Sequence, residues 1–297
     1  MSLTFNRELD FFYGKVSVLS PLIRRVVAEN PGPFTFKGTG TYIVGRGEVA
    51  VIDPGPYDET HFAALMHALK GETVTHILVT HTHRDHSPGV QLLQPETGAP
   101  AYGYGPHGGD KGLPRVEEGG DFDFKPDVVI KDGDVVRGKG WTMEAVHTPG
   151  HTSNHLCFAF REESVLFSGD HVMGWSTTVV SQPDGDMGAY MRSLEKLHKR
   201  SERTYWPTHG AAIEDPKSHV AGLIAHRRHR EDQIAACIRE GRTTIPEMVD
   251  AMYVGLDPRL IGGARRSVQS HLIHMIETGR AACAGKAELD AVYSLPR

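Results

Sequence analysis

Short β-rich apolar runs dominate this chain as far as Asp215, and helical spacing dominates after it. Thr41-Tyr42-Ile43-Val44 and Glu48-Val49-Ala50-Val51-Ile52-Asp53 flank Gly45-Arg46-Gly47, which predicts a hairpin ended by Pro54-Gly55-Pro56. Phe62, Leu65, Met66 and Leu69 fall at helical spacing between Tyr57 and Lys70 and stop at Gly71. An apolar run at 77–79 precedes a short helix from Gly89 to Gln94. Strands are predicted at 128–130, 135–136, 141–146, 156–160 and 165–167, and a helix over Met187 to Arg200 on the stripe Met191, Leu194, Leu197. Strands interleaved with helices make this part an α/β domain, residues 1–215.

Beyond it, residues 219–240 read as one long helix with Val220, Leu223, Ile224, Ile234 and Ile238 apolar. Thr244-Ile245-Pro246-Glu247 is a capping-box pattern that opens a short helix to Tyr253. Val268, Leu272, Met275 and Ile276 stripe a third helix over 264–278, and residues 280–295 can form a small hairpin. Helices followed by a hairpin predict a mostly α, winged-helix-like second domain over 216–297. A plain helical cap or a homodimer surface is the competing reading. Between the two sets of strands, 103–124 is rich in glycine and charge and reads as a long loop, a candidate lid. Gly103-Tyr104-Gly105-Pro106-His107-Gly108 matches a dinucleotide fingerprint literally. No helix pattern follows it, so that reading is rejected.

Composition changes this picture little. Hydrophobic residues at 39% and charged residues at 23% suit an ordinary globular protein. No apolar run reaches the roughly 18 residues of a membrane span, and the first residues are charged early, so a cytoplasmic protein is expected. Three scattered cysteines suit a reduced compartment. The net charge of −5 is uneven: residues 216–297 hold 12 basic and 9 acidic groups, and the other 215 residues hold 20 and 28. A mildly basic tail neither requires nor forbids a nucleic-acid partner.

The chemistry lies in Thr80-His81-Thr82-His83-Arg84-Asp85-His86, directly after an apolar strand. His81 and His83 point to one side of an extended segment, and Asp85 and His86 follow where the chain turns. Imidazole with carboxylate suits Zn²⁺, Fe²⁺ or Mn²⁺ rather than Ca²⁺. Surface histidines on a loop are the bland alternative, and further strand ends argue against it. Gly150-His151-Thr152, Ser168-Gly169-Asp170 and Thr208-His209-Gly210 each follow a strand-like run.

In this order the four segments resemble the signature of the metallo-β-lactamase-fold hydrolases, over roughly residues 20–215. The resemblance implies a four-layer αββα sandwich and two divalent ions, zinc first, with iron or manganese as alternatives. It implies that His81, His83 and His151 hold one ion, that Asp85, His86 and His209 hold the other, and that Asp170 bridges both. Hydrolysis then follows from a hydroxide bridging the two ions, since metals lower the pKa of water from 15.7 toward about 7. Asp85 would orient the nucleophile or take its proton. His171 is a candidate leaving-group acid, with a packed, non-catalytic role as its alternative. Asp53 resembles a position that supports a ligand histidine, with a turn-forming role before Pro54-Gly55 as its alternative.

Three activities are open. The C-terminal segment from His226 to Thr244 resembles the lactamase-β-2-like branch with an appended winged helix, some of whose members cleave single-stranded RNA. Arg227, Arg228, Arg230, Arg265 and Arg266 would then contact phosphates, although aromatics for base stacking are missing there. A glyoxalase-II-like thioester hydrolase acting on a small molecule fits the ligands equally well. The third reading, a non-catalytic metal-binding or regulatory protein, is disfavoured by the complete ligand set.

Overall fold

The computed structural model describes residues 3–109 and 117–296. Seven strands form the first sheet: β1 (Val16–Val18), β2 (Ile23–Val27), β3 (Gly40–Arg46), β4 (Glu48–Ile52), β5 (Thr73–Leu78), β6 (Ala101–Gly103) and β7 (Val128–Val129), paired in sequence order. Five form the second: β8 (Val135–Gly138), β9 (Trp141–His147), β10 (Leu156–Phe160), β11 (Val165–Gly169) and β12 (Thr204–Pro207), again in sequence order. The predicted hairpin is β3–β4, with Val44 opposite Ala50.

Strand alternation builds the layers. Tyr42, Val44, Ala50 and Ile52 point inward and interdigitate with Met143, Ala145, Phe158 and Phe167 of the second sheet. The alternate residues Ile43, Val49 and Val51 point outward under α1 (Glu59–Ala68) and α2 (Val90–Thr97). On the far face, Val146, Cys157, Ala159 and Leu166 meet α3 (Met187–His198) and the first half of α4 (Pro216–Arg239). The result is the four-layer αββα sandwich, with the central strands of both sheets buried on both faces.

The second half of α4 packs on α5 (Ile245–Met252) and α6 (Ile261–Glu277) through Ile234, Ile238, Met248, Val268 and Leu272. Glu247 accepts the Thr244 N–H at 3.0 Å, the expected capping box. β13 (Ala282–Cys283) and β14 (Tyr293–Ser294) close the module as a small antiparallel pair. Among the described residues, no helix is long and apolar enough to cross a membrane.

One buried group here makes the fold acid-sensitive. His61 of α1 is buried, its Nε2 2.8 Å from Thr41 Oγ1, and burial lowers its pKa to about 4. The unfolded chain takes up this proton near pH 6.5 and the folded chain does not, so stability is full above pH 6.5 and falls as pH drops toward 4. We expect His61 to contribute a loss of about 2 kcal/mol between pH 7 and pH 5. Urea unfolding of metal-free protein should show that slope, and His61→Gln should lose this share of it. An equal slope in both proteins would refute the assignment.

Candidate metal centre

Every candidate ligand leaves the C-terminal end of a strand or the turn that follows one. β5 leads to Thr80–His86, β9 to His151, β11 to Asp170 and β12 to His209. Backbone hydrogen bonds hold the two sheets together at this edge: Leu156 N donates to Thr80 O at 2.7 Å, and Gly40 N to Thr208 O at 2.9 Å. Gly169 (φ 53°) can only be glycine, since a Cβ there would stand 2.5 Å from His155 Nε2.

All seven groups converge and are buried. His83 Nδ1 lies 3.1 Å from both His81 Nε2 and His151 Nε2. Asp85 Oδ2 lies 3.2 Å from both His86 Nε2 and His209 Nε2. Asp170 Oδ2 stands between these groups, 3.3 Å from His209 Nε2, 3.5 Å from His86 Nε2 and 3.9 Å from His151 Nε2.

This donor set fits metal ions. Ligands at about 2.0–2.1 Å from a tetrahedral centre stand about 3.3 Å apart, the spacing seen here. One proton on His83 Nδ1 can serve only one of its two neighbours, so a cation is the simpler occupant. His86 Nε2 and Asp170 Oδ1 are buried without a hydrogen-bond partner. The opposite nitrogens are spoken for: His86 Nδ1 donates to Asp53 Oδ2 at 2.9 Å, His151 Nδ1 to Val179 O at 2.7 Å, and His209 Nδ1 to Gly38 O at 3.1 Å. Such outward bonds aim the remaining lone pair inward.

The two halves of the cluster differ electrostatically. Burial, reinforced by neighbouring imidazoles, holds His81 and His83 well below the usual histidine range, and burial lowers His151 as well. Burial would do the same to His86 and His209. There Asp85 and Asp170 outweigh it, lifting His86 well above its ordinary value and His209 to about 10. Burial likewise opposes ionisation of Asp85 and Asp170, and the same histidines outweigh it and hold both carboxylates below their ordinary range. The first three residues thus offer neutral lone pairs, and the others form a carboxylate-rich half.

Asp53 has the geometry that both readings of it call for. At φ 48° it turns the chain toward Pro54-Gly55, and its carboxylate takes Thr80 N at 2.8 Å, Thr80 Oγ1 at 2.7 Å, Thr208 Oγ1 at 3.2 Å and the His86 ring. His171 takes the packed position that was its alternative. Its ring is fully buried, packs on Tyr190 with centroids 4.6 Å apart, and neither nitrogen has a hydrogen-bond partner.

Of the five arginines, Arg227 departs from expectation. Arg227 is 3% exposed and cannot meet a phosphate. Arg228 pairs with Glu195 at 3.0 Å, and Arg230 lies over the Tyr253 ring at 4.6 Å and bonds Gln233. Arg265 and Arg266 sit on a different helix, α6.

Several contributors escaped sequence reasoning. Thr39 Oγ1 donates to Asp85 Oδ2 at 3.1 Å, and His155 Nε2 accepts the Asp170 N–H at 3.2 Å. Asn154 Nδ2 ties the Gly105 and Pro106 carbonyls to Thr82 Oγ1, so this end of the long loop is held against the ligand segment. Glu117 brings a carboxylate to 3.9 Å from His151 Nδ1. Only His155, four residues after His151, offered a cue, and its place directly before an apolar strand hid it. The centre of the proposed lid, 110–116, lies outside the described residues.

A buried histidine–carboxylate cluster at one edge of an αββα sandwich defines a metal-dependent hydrolase. The chain belongs to the metallo-β-lactamase superfamily, whose sequence profile matches residues 35–209; that of the β-lactamase-associated winged helix domain matches 244–288. It is similar to an atrochrysone carboxyl ACP thioesterase of Claviceps purpurea, 33% identical over 248 residues, covering 80% of this chain and 74% of the relative. It is also similar to a lactamase-like protein, adaB, of Aspergillus niger, 32% identical over 262 residues and covering 82% and 76%. Among solved structures, a β-lactamase domain protein from Burkholderia ambifaria superposes with TM-score 0.79 at 20% identity, covering 97% of this chain and 96% of that one.

Proposed function

We propose that this protein is a dinuclear metal-dependent thioester hydrolase that releases an acyl group from a thiol carrier. The observation that carries this reading is the similarity to an acyl-carrier thioesterase over 80% of the chain, together with a complete set of seven ligands. Bound metal ions would supply a water acidified toward about pKa 7 and a Lewis acid for the carbonyl oxygen. His81, His83 and His151 would hold one ion; Asp85, His86 and His209 the other; Asp170 would be shared. Zinc suits this donor set best, and iron or manganese would also be accepted. Thr39 fixes the Asp85 carboxylate, which orients the attacking water.

The leaving group supports a thioester over RNA. A thiol has a pKa of about 8.5, so a thiolate departs without a proton donor, and the sequence-predicted acid His171 is sealed away. The arginines that would grip a phosphate backbone are buried, paired or divided between two helices.

Zn²⁺-loaded protein should be given an acyl thioester and, separately, a fluorescent single-stranded RNA, with Asp85→Asn as the blank. Thiol release, reduced at least about 100-fold in the blank, with intact RNA, is the expected result. RNA cleavage lost in the blank, without thiol release, would replace this reading with a nuclease.

A further inference from the structure

Arg227 has no part in the hydrolysis proposed above, yet it is the most deeply buried of the five arginines singled out in the sequence. It lies midway along α4, the helix that spans both hydrophobic clusters, at 3% exposure. Arg228 and Arg230 turn to surface partners; Arg227 turns inward. Its Nη2 donates to the Thr178 carbonyl, its guanidinium carbon stands 5.1 Å from the Tyr190 ring centre, and its Nε has no hydrogen-bond partner.

Both contacts lead to the metal centre. Thr178 Oγ1 donates to the Asp170 carbonyl at 2.7 Å and also lies 3.0 Å from the His171 carbonyl oxygen. The Tyr190 hydroxyl donates to that same His171 carbonyl at 3.1 Å. The next carbonyl along the chain, that of Val179, takes the Nδ1–H of His151 at 2.7 Å. A path of hydrogen bonds and one stretch of backbone thus starts on α4, in the outer helical layer, and ends on two ligand residues.

We propose that Arg227 is a positioning residue for the metal centre. It holds the Thr178 carbonyl, and so the 178–179 peptide, directly before the Val179 carbonyl that aims His151 Nε2 inward, and through Thr178 it fixes the backbone that carries Asp170. Arginine suits this task because its charge is permanent and its planar fork of donors loses little freedom per hydrogen bond. A cationic donor also makes a stronger bond to a carbonyl than a neutral one. The role rests on the metal-ligand reading above and is independent of the thioester.

The test compares Arg227→Met and Arg227→Lys with Leu223→Ala, a fully buried α4 residue of the hydrophobic cluster on the second sheet. Zn²⁺ affinity is measured by chelator competition, and site geometry by the visible spectrum of the Co²⁺-loaded protein. Arg227→Met should lose about 10–100-fold in affinity for at least one ion and shift the Co²⁺ bands, with kcat falling more than KM rises. Arg227→Lys should recover part of each. Leu223→Ala should lower Tm and leave affinity and spectrum unchanged. Wild-type affinity and Co²⁺ spectrum in Arg227→Met would overturn the proposal whatever its Tm, as would an equal change in Leu223→Ala. If Arg227→Met does not fold, Arg227→Gln takes its place, with the same two readouts deciding. Loss of thioester activity with normal metal binding would count against the substrate, not against this role.

Discussion

Replacing Asp170 by alanine is expected to abolish hydrolysis and leave fewer than two metal ions per chain. Its Oδ2 is within 3.9 Å of ligand nitrogens from both halves of the cluster, and its Oδ1 is buried without a partner. Alanine would remove the one group placed to join the two halves. It would also leave the neighbouring cations facing each other across an unshielded gap, since at low effective dielectric their repulsion is large. Losing one ion removes a Lewis-acid contribution of several kcal/mol, so activity should fall by about a thousandfold or more. Metal analysis of dialysed protein beside initial rates checks both parts. Two ions per chain with substantial activity would rule out a bridging Asp170.

Asp53→Ala should have the next largest effect, on folding and metal binding together. The Asp53 carboxylate receives four donors, from Thr80 N, Thr80 Oγ1, Thr208 Oγ1 and His86 Nδ1, and is 1% exposed. Alanine leaves these buried donors unpaired, a loss of about 3–5 kcal/mol for a broken buried network. It also releases the ring of His86, which should weaken metal binding about 10–100-fold. Asp53→Asn separates the two effects. It keeps the volume, but an amide N–H₂ facing His86 Nδ1 favours the tautomer that protonates Nε2, the nitrogen needed by the ion. We expect Asp53→Asn to fold with a modest loss in urea midpoint and still bind metal weakly. Metal affinity equal to wild type in Asp53→Asn would show that His86 is oriented by other means.

These predictions start from residues the sequence had already offered, and the manner of their legibility is instructive. His81, His83, Asp85 and His86 could be found because four ligand-type side chains fall in six residues, and His151, Asp170 and His209 because each follows an apolar run. The strands and helices could be found because alternation marks strands and four-residue spacing marks helices; the sandwich that they build followed from the family resemblance. Residues that work through contacts between distant segments left no such trace. Thr39 reaches Asp85 across 46 positions, and Arg227 reaches Thr178 across 49. Nothing in either local pattern distinguishes a hydroxyl that fixes a ligand, or an arginine that braces one, from a solvated surface residue. The sequence reading therefore sent Arg227 to the surface, where arginines usually lie, and gave His171 a chemical role that its burial denies.

The sequence by itself determined the ligand chemistry, the run of strands and helices and the winged-helix-like module, because these depend on residue type and local periodicity; the layer order came from the resemblance that its motifs carry. Only the tertiary structure decided which nitrogen of each histidine faces inward and which of the arginines is buried. Those properties arise where strand ends from two sheets and a helix from the C-terminal module meet, and they depend on burial and on partners far apart in the chain.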